Sequence, residues 1–185
     1  MLAFLRAEID SPRFANGYLQ QLAWGGVSRT ELIDLADLEN EADNALRRDL
    51  LARFRGFGAN MYLFAGFPDD VQWQWVRISQ ADQSILKYAN CQPWIGYSGG
   101  TRFVTGGADN LAAMDAQTKS IIESIAEGVL HGKTFPPVIT VKSLDGFLIL
   151  VEGHCRATAY VAVGFSGNVD LFVGSSPGIS KWAFY

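Results

Sequence analysis

The chain has 185 residues, of which 49% are hydrophobic and 18% charged, and its formal net charge is -4. This composition supplies a real hydrophobic core and excludes a globally disordered chain, while the negative balance argues against a protein whose main role is to coat nucleic acid. The length predicts one domain, or one domain with a helical extension.

The cysteine content and the N-terminus bear on the compartment. Two cysteines, Cys91 and Cys155, do not make a disulfide framework, which indicates a reduced, cytoplasmic chain. The opening stretch MLAFLRAEIDSPRF contains Glu8 and Asp10 and lacks a basic region followed by a long apolar core, so we predict no signal peptide. No stretch approaches the roughly 18 to 20 uninterrupted apolar residues of a membrane-spanning helix, so no membrane association is predicted.

The first third of the chain is predicted to be helical. Ser28 followed by Glu31 is a capping-box pattern, and Gly56 and Gly58 are predicted to end the helix that starts there. Between them, apolar residues recur at helical spacing: Leu32, Leu35, Leu38, Ala42, Leu46, Leu50 and Phe54. This amphipathic pattern is typical of a packing or dimerisation helix. We therefore assign residues 1–58 to a helical N-terminal extension through which the chain could form a homodimer.

The centre of the chain changes to β-type and glycine-rich patterns. Residues 71–78 alternate as the two faces of a strand do, after a turn signal at Pro68. Ser79 with Asp82 is a second capping pair, which predicts a short helix toward Tyr88. The glycine-rich passage WIGYSGGTRFVTGGADN follows, and MDAQTKSIIESIAEGVLHG is then predicted to be an amphipathic helix.

The last third gives the clearest pattern. PPVITVKS is predicted to be a strand, LDG a turn and FLILVE a second strand, and GHCRATAYVAVG a helix that Gly164 ends. NVDLFVGS is predicted to be a third strand, and PGISKWAFY a final turn or short helix. The chain is therefore predicted to have an α/β (α+β) fold, a small mixed sheet with flanking helices.

The junction between the second of these strands and its helix is the first candidate site. If Gly153 starts the helix, the amides of His154, Cys155 and Arg156 lie in its first turn, where the helix dipole favours anions. Arg156 adds a fork suited to phosphate oxygens, so these are the parts of a phosphate site. His154 could also act as an acid or base near neutral pH. In the alternative interpretation, Glu152 and Arg156 form a structural ion pair and His154 is a satisfied buried group.

The loop YSGGTR is the second candidate. Ser98, Gly99, Gly100, Thr101 and Arg102 make a donor-rich segment that could form an anion-binding nest, although a loop of this composition is also common as a plain connection. The chain contains no P-loop motif, and its Gly-x-Gly stretch precedes a strand instead of following one, unlike a dinucleotide fingerprint.

Other chemistries have less support from the sequence. The two histidines, His131 and His154, do not fall in a zinc-site spacing with the cysteines, and no nucleophile elbow is present. Cys155 is either a reactive thiol at a helix start or a small structural cysteine. Magnesium carried by a nucleotide is plausible, with Glu152 as a possible ligand. Five aromatic residues could line a base pocket, a core or an interface: Trp73, Trp75, Trp94, Tyr97 and Trp182.

The order of elements from residue 117 to 174 resembles the ParB N-terminal domain and sulfiredoxin superfamily. Members share a helix, a strand after a proline, a hairpin, and a strand that runs into a G-[EHC]-[RH]-R-type helix start; the helix ends at a glycine and a strand follows. VEGHCRATAY resembles the phosphate-binding box of that superfamily. A looser likeness reaches back to residues 71–78, with SGGTR at the place of the family's arginine-bearing loop.

The resemblance implies that residues 59–185 form a nucleotide-binding core in which Gly153, His154 and Arg156 contact phosphates, with Thr158 nearby. The superfamily includes CTP-dependent segregation clamps, ATP-using sulfiredoxins, free serine kinases and reported nucleases, and the fold does not choose among them. Cys155 follows the histidine of the box instead of preceding it as the sulfiredoxin cysteine does, which puts peroxiredoxin repair in doubt. The histidine form of the box is most similar to that of the small-molecule kinases.

These arguments lead to three functional hypotheses. The first is a protein that binds a nucleoside triphosphate or diphosphate (ATP, ADP or CTP) with Mg²⁺ and transfers a phosphoryl group to a small hydroxyl-bearing molecule. Glu152 and His154 would be catalytic in it, and Arg102 with Ser98 and Thr101 would hold the acceptor or the far phosphates. The second is a non-catalytic, nucleotide-gated interaction module, and the third is a ParB-like nuclease or defence effector.

Overall fold

The computed structural model describes residues 1–55 and 63–185, which form two compact units, Met1–Gly66 and Phe67–Tyr185. We call them the N-terminal unit and the C-terminal unit. The boundary predicted between residues 58 and 59, and the helix end predicted at Gly56 and Gly58, lie outside the described residues. Within the described residues, no helix is both long enough and apolar enough to cross a membrane.

The N-terminal unit is helical, as predicted. Its elements are α1 (Leu2–Ile9), α2 (Ala15–Trp24), a π-helical turn (Thr30–Asp34) and α3 (Glu41–Arg55). They enclose a core of buried apolar side chains: Phe4, Leu5, Ala7, Ile9, Tyr18, Leu22, Leu32, Ile33, Leu50 and Leu51. Within this core the Tyr18 hydroxyl donates to the buried Glu8 carboxylate at 2.7 Å.

The prediction of one continuous helix from Ser28 to Phe54 is wrong. The helical turn that begins after Ser28 ends at Asp34, and α3 starts only at Glu41. Asn40 marks the new start, because its side-chain oxygen accepts the Asp43 amide at 3.1 Å and so caps the first turn of α3. The break leaves Leu35 and Leu38 exposed, at 77% and 58%, although their spacing placed them on the apolar face.

The C-terminal unit is built on a five-stranded mixed sheet. Its strands are β1 (Gln72–Ile78), β2 (Leu86–Lys87), β3 (Val138–Lys142), β4 (Leu148–Glu152) and β5 (Val169–Ser175), in the spatial order β1-β5-β3-β4-β2. β3 runs parallel to β5, and β2 runs parallel to β4. The β1–β5 and β3–β4 pairs are antiparallel. The strands predicted in the last third, and the one at 71–78, are confirmed.

Four α-helices accompany the sheet in this unit: α4 (Trp94–Tyr97), α5 (Val104–Asp109), α6 (Ala116–Leu130) and α7 (His154–Ala162). The predictions for α6 and α7 are confirmed. The short helix predicted from Ser79 toward Tyr88 is a 3-10 helix that ends at Ile85, after which the chain extends to pair with β4 as β2. The predicted pairing of Ser79 with Asp82 is present, with the Ser79 hydroxyl and amide donating to the Asp82 carboxylate at 2.7 and 3.2 Å, but no side chain of the described residues caps the 3-10 helix, whose N-cap is Gln80.

Apolar side chains on one face of the sheet pack against α7. Alternate residues of the strands point to this face, as period-two patterning requires. α5 and α6 pack against α7 in turn. The largest buried cluster consists of Ile78, Leu86, Tyr88, Val104, Val138, Leu148, Leu150, Ala157, Val169 and Leu171. The start of α7 is thus held between the sheet and two helices.

Asp115 caps α6 and ties it to α4. It accepts hydrogen bonds from the Tyr97 hydroxyl at 2.5 Å and the Thr118 amide at 2.9 Å, and these bonds, the first most of all, hold the pKa of its carboxyl well below the usual range. A depressed pKa contributes stability that is present at neutral pH and is lost as pH falls through the folded-state value.

We therefore expect Asp115→Asn to be less stable than the wild type at pH 7, and the gap to narrow below about pH 4, where the free carboxylate of the unfolded chain is protonated. Urea unfolding at several pH values measures this gap. Asp69→Asn, at an exposed carboxylate, is the matched control. A gap that stays constant from pH 7 to pH 3 would contradict the role of the Asp115 charge.

Candidate functional site

The site predicted at the end of β4 lies at a tight strand-to-helix junction. β4 ends at Glu152, and Gly153 has a left-handed backbone with φ of 97° before α7 begins at His154. A Cβ at Gly153 would lie 3.0 Å from Nη2 of Arg156 and 3.2 Å from Val138. The left-handed conformation therefore favours glycine here, and the close neighbours leave little room for a side chain. The predicted junction is confirmed.

Arg156 is fixed beside this glycine. Its side chain points back along the first turn of α7, and the residue is only 9% exposed. Nη2 donates to the Glu152 carboxylate and, at 3.3 Å, to the carbonyl of Pro137. Nε is buried and makes no hydrogen bond within the described part of the chain. The ion pair that the sequence offered as an alternative interpretation is therefore present, and it leaves the buried Nε of the guanidinium without an acceptor in the described part of the chain.

His154 lies among aromatic rings. Its imidazole is parallel to the Tyr88 ring, with centroids 5.9 Å apart, and 5.0 Å from the Trp94 ring. Tyr88 and Trp94 stack on each other at 4.7 Å. We call Tyr88, Trp94 and His154 the aromatic cluster. Sequence reasoning included Trp94 among the aromatic candidates but missed Tyr88, because nothing in its local pattern separates it from a core residue.

Tyr88 also connects the cluster to α7 by hydrogen bonds. Thr158 donates to the His154 carbonyl at 2.8 Å, so its hydroxyl proton is used within the helix. The Tyr88 hydroxyl, 2.7 Å from Thr158 Oγ1, must then be the donor of that bond. Burial raises the pKa of Tyr88, which keeps this donor protonated. Thr158 is thus engaged inside the protein, although it lies next to the predicted phosphate box.

The second predicted segment, residues 98–102, uses most of its donors internally. Ser98 is buried, and its hydroxyl lies 3.0 Å from the Trp94 carbonyl and accepts the Arg102 amide at 2.9 Å. Thr101 donates its hydroxyl to the Ser98 carbonyl at 2.9 Å. The amides of Gly99 and Gly100 donate to carbonyls of α4, and both glycines have positive φ. The loop is therefore a closed turn whose two glycines face open space.

Arg102 ends this loop in a left-handed conformation with φ of 64°. Its Nε donates to the Tyr88 carbonyl at 3.0 Å, and Nη1 donates to the Tyr185 backbone oxygen at 3.1 Å. Nη2 is buried without a hydrogen bond in the described ranges, and burial lowers the pKa of the guanidinium. The two predicted segments thus meet at Tyr88: the loop contacts its carbonyl, and α7 contacts its ring.

The cysteines are not arranged as a reactive pair. Within the described residues, neither Cys91 nor Cys155 forms a disulfide bond. Cys155 packs with the cluster of Tyr97, Met114, Ile122 and Ala159 that joins α7 to α6. Burial raises the pKa of Cys91. The apolar cluster around Cys155 favours the interpretation of this residue as a small structural cysteine over a reactive thiol.

Carboxylates and imidazoles do not gather into a metal centre within residues 1–55 and 63–185, where no group of three or more His, Cys, Asp or Glu side chains could hold an ion. Glu152, the residue predicted as a metal ligand, is bound to Arg156. A metal at this site would first have to displace the guanidinium. The residues described therefore do not fit a protein-bound magnesium ion.

Comparison of the chain with protein-family models, curated proteins and solved structures finds no match. The resemblance to the ParB and sulfiredoxin superfamily stays a prediction from the sequence. Any function must therefore be argued from the geometry of the junction and the loop.

Proposed function

We propose that the C-terminal unit binds the phosphate groups of a nucleotide at the β4–α7 junction. The observation that carries the proposal is the Arg156 guanidinium, which is buried and held against the left-handed Gly153 at the start of a nine-residue helix. A helix start attracts anions through its dipole, and a guanidinium matches phosphate oxygens in shape and charge. The resemblance of VEGHCRATAY to a phosphate-binding box supports the same assignment.

Glu152 has a positioning role in this proposal. Its carboxylate holds Arg156 beside Gly153, but it also places a negative charge where a phosphate would bind. The phosphate and Glu152 therefore compete for the Arg156 guanidinium. The affinity for the nucleotide depends on how much more strongly Arg156 binds the phosphate than it binds Glu152. Mg²⁺ enters only as an ion that accompanies the phosphates, since the chain's own residues do not fit a metal.

This competition gives opposite expectations for two variants in which one charged partner is replaced by glutamine. Glu152→Gln keeps Arg156 and removes the competing charge, so nucleotide affinity should increase. Arg156→Gln removes a charge-assisted donor worth about 1.5 to 3 kcal/mol, so affinity should fall about 10-fold to 100-fold. Isothermal titration of the full chain with ATP, ADP, CTP and GTP in the presence of Mg²⁺ measures both effects and identifies the base.

The two variants control for each other, because each breaks the same ion pair. If the pair served only to stabilise the fold, both changes would weaken binding together or leave it unchanged. Circular dichroism spectra should first establish that both variants are folded. Absence of binding by the folded wild type to all four nucleotides would overturn the proposal.

The contacts around the box favour a binding module over a phosphotransferase. Glu152 is paired with Arg156, and His154 lies against the rings of Tyr88 and Trp94, so neither is poised for proton transfer. We therefore place the nucleotide-gated interaction module first among the three hypotheses. In the N-terminal unit, the exposed side chains of Trp24, Leu35 and Leu38 are suited to a protein partner. Turnover of nucleotide by the wild type would restore the kinase hypothesis.

A further inference from the structure

The two edges of the sheet in the C-terminal unit differ in how far they are protected from pairing with a further strand. The edge at β2 has only two residues, and the following backbone covers it: Lys87 forms an antiparallel bridge with Phe103, and the Tyr88 amide donates to the Arg102 carbonyl at 2.7 Å. Short length and coverage are common ways in which proteins protect a sheet edge. This edge is therefore closed to further pairing.

The edge at β1 lacks such protection. β1 has seven residues, pairs only with β5 within the described part of the chain, and keeps a regular register along its whole length without a bulge. Its sequence, QWQWVRI, contains no proline and no lysine. A long, regular and uncovered edge strand is a template for pairing with another strand. Trp73 and Trp75 on this strand are 45% and 54% exposed.

The exposed side chains of β1 form an ordered stripe. Trp73, Trp75 and Arg77 lie on one face, since strand side chains alternate. The Trp75 ring packs edge-on against Phe172 of β5 at 5.0 Å, and Arg77 is paired with Asp170 at 2.8 Å. The stripe is thus positioned by β5 and presents two indoles and a guanidinium at the open edge.

We propose that β1 pairs antiparallel with β1 of a second copy of this chain, around a two-fold axis at Trp75. This register places Trp75 opposite itself and Trp73 opposite Arg77 of the second copy. Aromatic and cation–π pairs across strands are stabilising, and the arrangement supplies one Trp75–Trp75 pair on the axis and two symmetry-related Trp73–Arg77 pairs. The occupant is a second copy because the strand complements itself in this register: each positive side chain meets an indole, and no like charges face each other. The result is a continuous ten-stranded sheet.

The register can be tested by disulfide trapping. In antiparallel pairs, residues directly opposite have Cα atoms about 4.5 to 5.5 Å apart, which a disulfide can span. Trp75→Cys should therefore form a covalent dimer under mild oxidation. Trp73→Cys is the matched control. In the proposed register, residue 73 of one copy and residue 73 of the other lie four residues apart along the strands, or roughly 14 Å, which is too far for a disulfide. Oxidised wild type controls for Cys91 and Cys155.

Disruption of the edge is the second measurement. Trp75→Lys places two lysines opposite each other and removes the central indole, so the dimer dissociation constant should rise about 30-fold or more. Leu130→Lys, at a leucine that is 70% exposed at the end of α6, makes the same chemical change elsewhere and should leave the constant unchanged. Sedimentation over a range of concentrations gives both values.

Three results would overturn the proposal: a wild type that stays monomeric at about 100 µM, well above the dissociation constants of specific dimers; a dimer that persists in Trp75→Lys; or trapping at residue 73 instead of 75. Persistence in Trp75→Lys would assign the dimer to another surface, such as the helices of the N-terminal unit. If Trp75→Lys does not fold, the trapping experiment alone decides.

Discussion

Replacement of Gly107 by alanine is expected to destabilise the C-terminal unit by about 2 to 3 kcal/mol, as overpacking of a rigid core does. Gly107 lies in α5 against the fully buried ring of Tyr88. A Cβ at this position would collide with the Tyr88 hydroxyl and lie 2.8 Å from two atoms of its ring. Tyr88 cannot move away freely, because it is stacked on Trp94 and hydrogen-bonded to Thr158.

The direction of this effect is decided by two opposing terms. Alanine in place of glycine favours a helix by about 1 kcal/mol. The collision with Tyr88 outweighs this gain, since the ring is enclosed. Gly96→Ala in α4 is the matched control: the nearest atom to its Cβ would be 3.6 Å away, so only the helical gain remains. Gly96→Ala should therefore be neutral or slightly stabilising.

Urea unfolding followed by tryptophan fluorescence measures both variants. A Trp24→Phe background restricts the signal to the C-terminal unit, which holds the other four tryptophans. In the presence of Tyr88→Phe, which removes the closest atom, Gly107→Ala should cost less than in the wild type. Equal costs in both backgrounds would show that the collision with the hydroxyl is not the cause.

The sequence is informative where local patterning and tertiary packing agree. The strand–turn–strand–helix–strand order of the last third has a breaker at each boundary, and Gly153 stands where the chain must adopt φ of 97°. The sequence also offered the Glu152–Arg156 ion pair, which forms across the strand-to-helix junction, since Glu152 ends β4 and Arg156 lies in the first turn of α7. What the sequence left open was whether Arg156 faces a ligand or Glu152, since this depends on the position of Pro137 and β3.

The second segment shows why a donor-rich loop is a weak signal. A tight turn brings its own donors within reach of the carbonyls that precede it, so they can be used up inside the turn. Ser98, Thr101 and the two glycines donate to carbonyls of the same turn and of α4. Arg102 is directed at the Tyr88 carbonyl, a partner that is 14 residues away in the chain. Composition gives the number of donors, but only the fold decides which acceptors they meet.

The N-terminal unit offers the second large effect. Arg47→Met is expected to cost about 3 kcal/mol, because it leaves the buried Leu32 carbonyl and the part-buried Asp37 carbonyl without their donor. Arg47 is fully buried, and its guanidinium donates to the Leu32 carbonyl at 2.7 Å and the Asp37 carbonyl at 3.0 Å. These carbonyls lie in and after the π-helical turn, at the break that the periodicity of leucines did not reveal. Arg47 therefore joins α3 to the segment between the π-helical turn and α3, where the helix is interrupted.

Hydrogen exchange resolved by segment measures this effect directly. In Arg47→Met, protection should fall in residues 30–34 and in the first turns of α3, which the guanidinium joins. Arg48→Met is the matched control, since Arg48 is next to Arg47 in the chain but is exposed. Substitutions at exposed positions usually change the free energy of unfolding by no more than about 0.5 kcal/mol. A similar loss of protection in both variants would mean that the cause is the removal of a positive charge from α3, and not the loss of the hydrogen bonds of Arg47. Loss in Arg47→Met alone would mean that one buried cation, placed by tertiary contacts, determines where the helical pattern is interrupted.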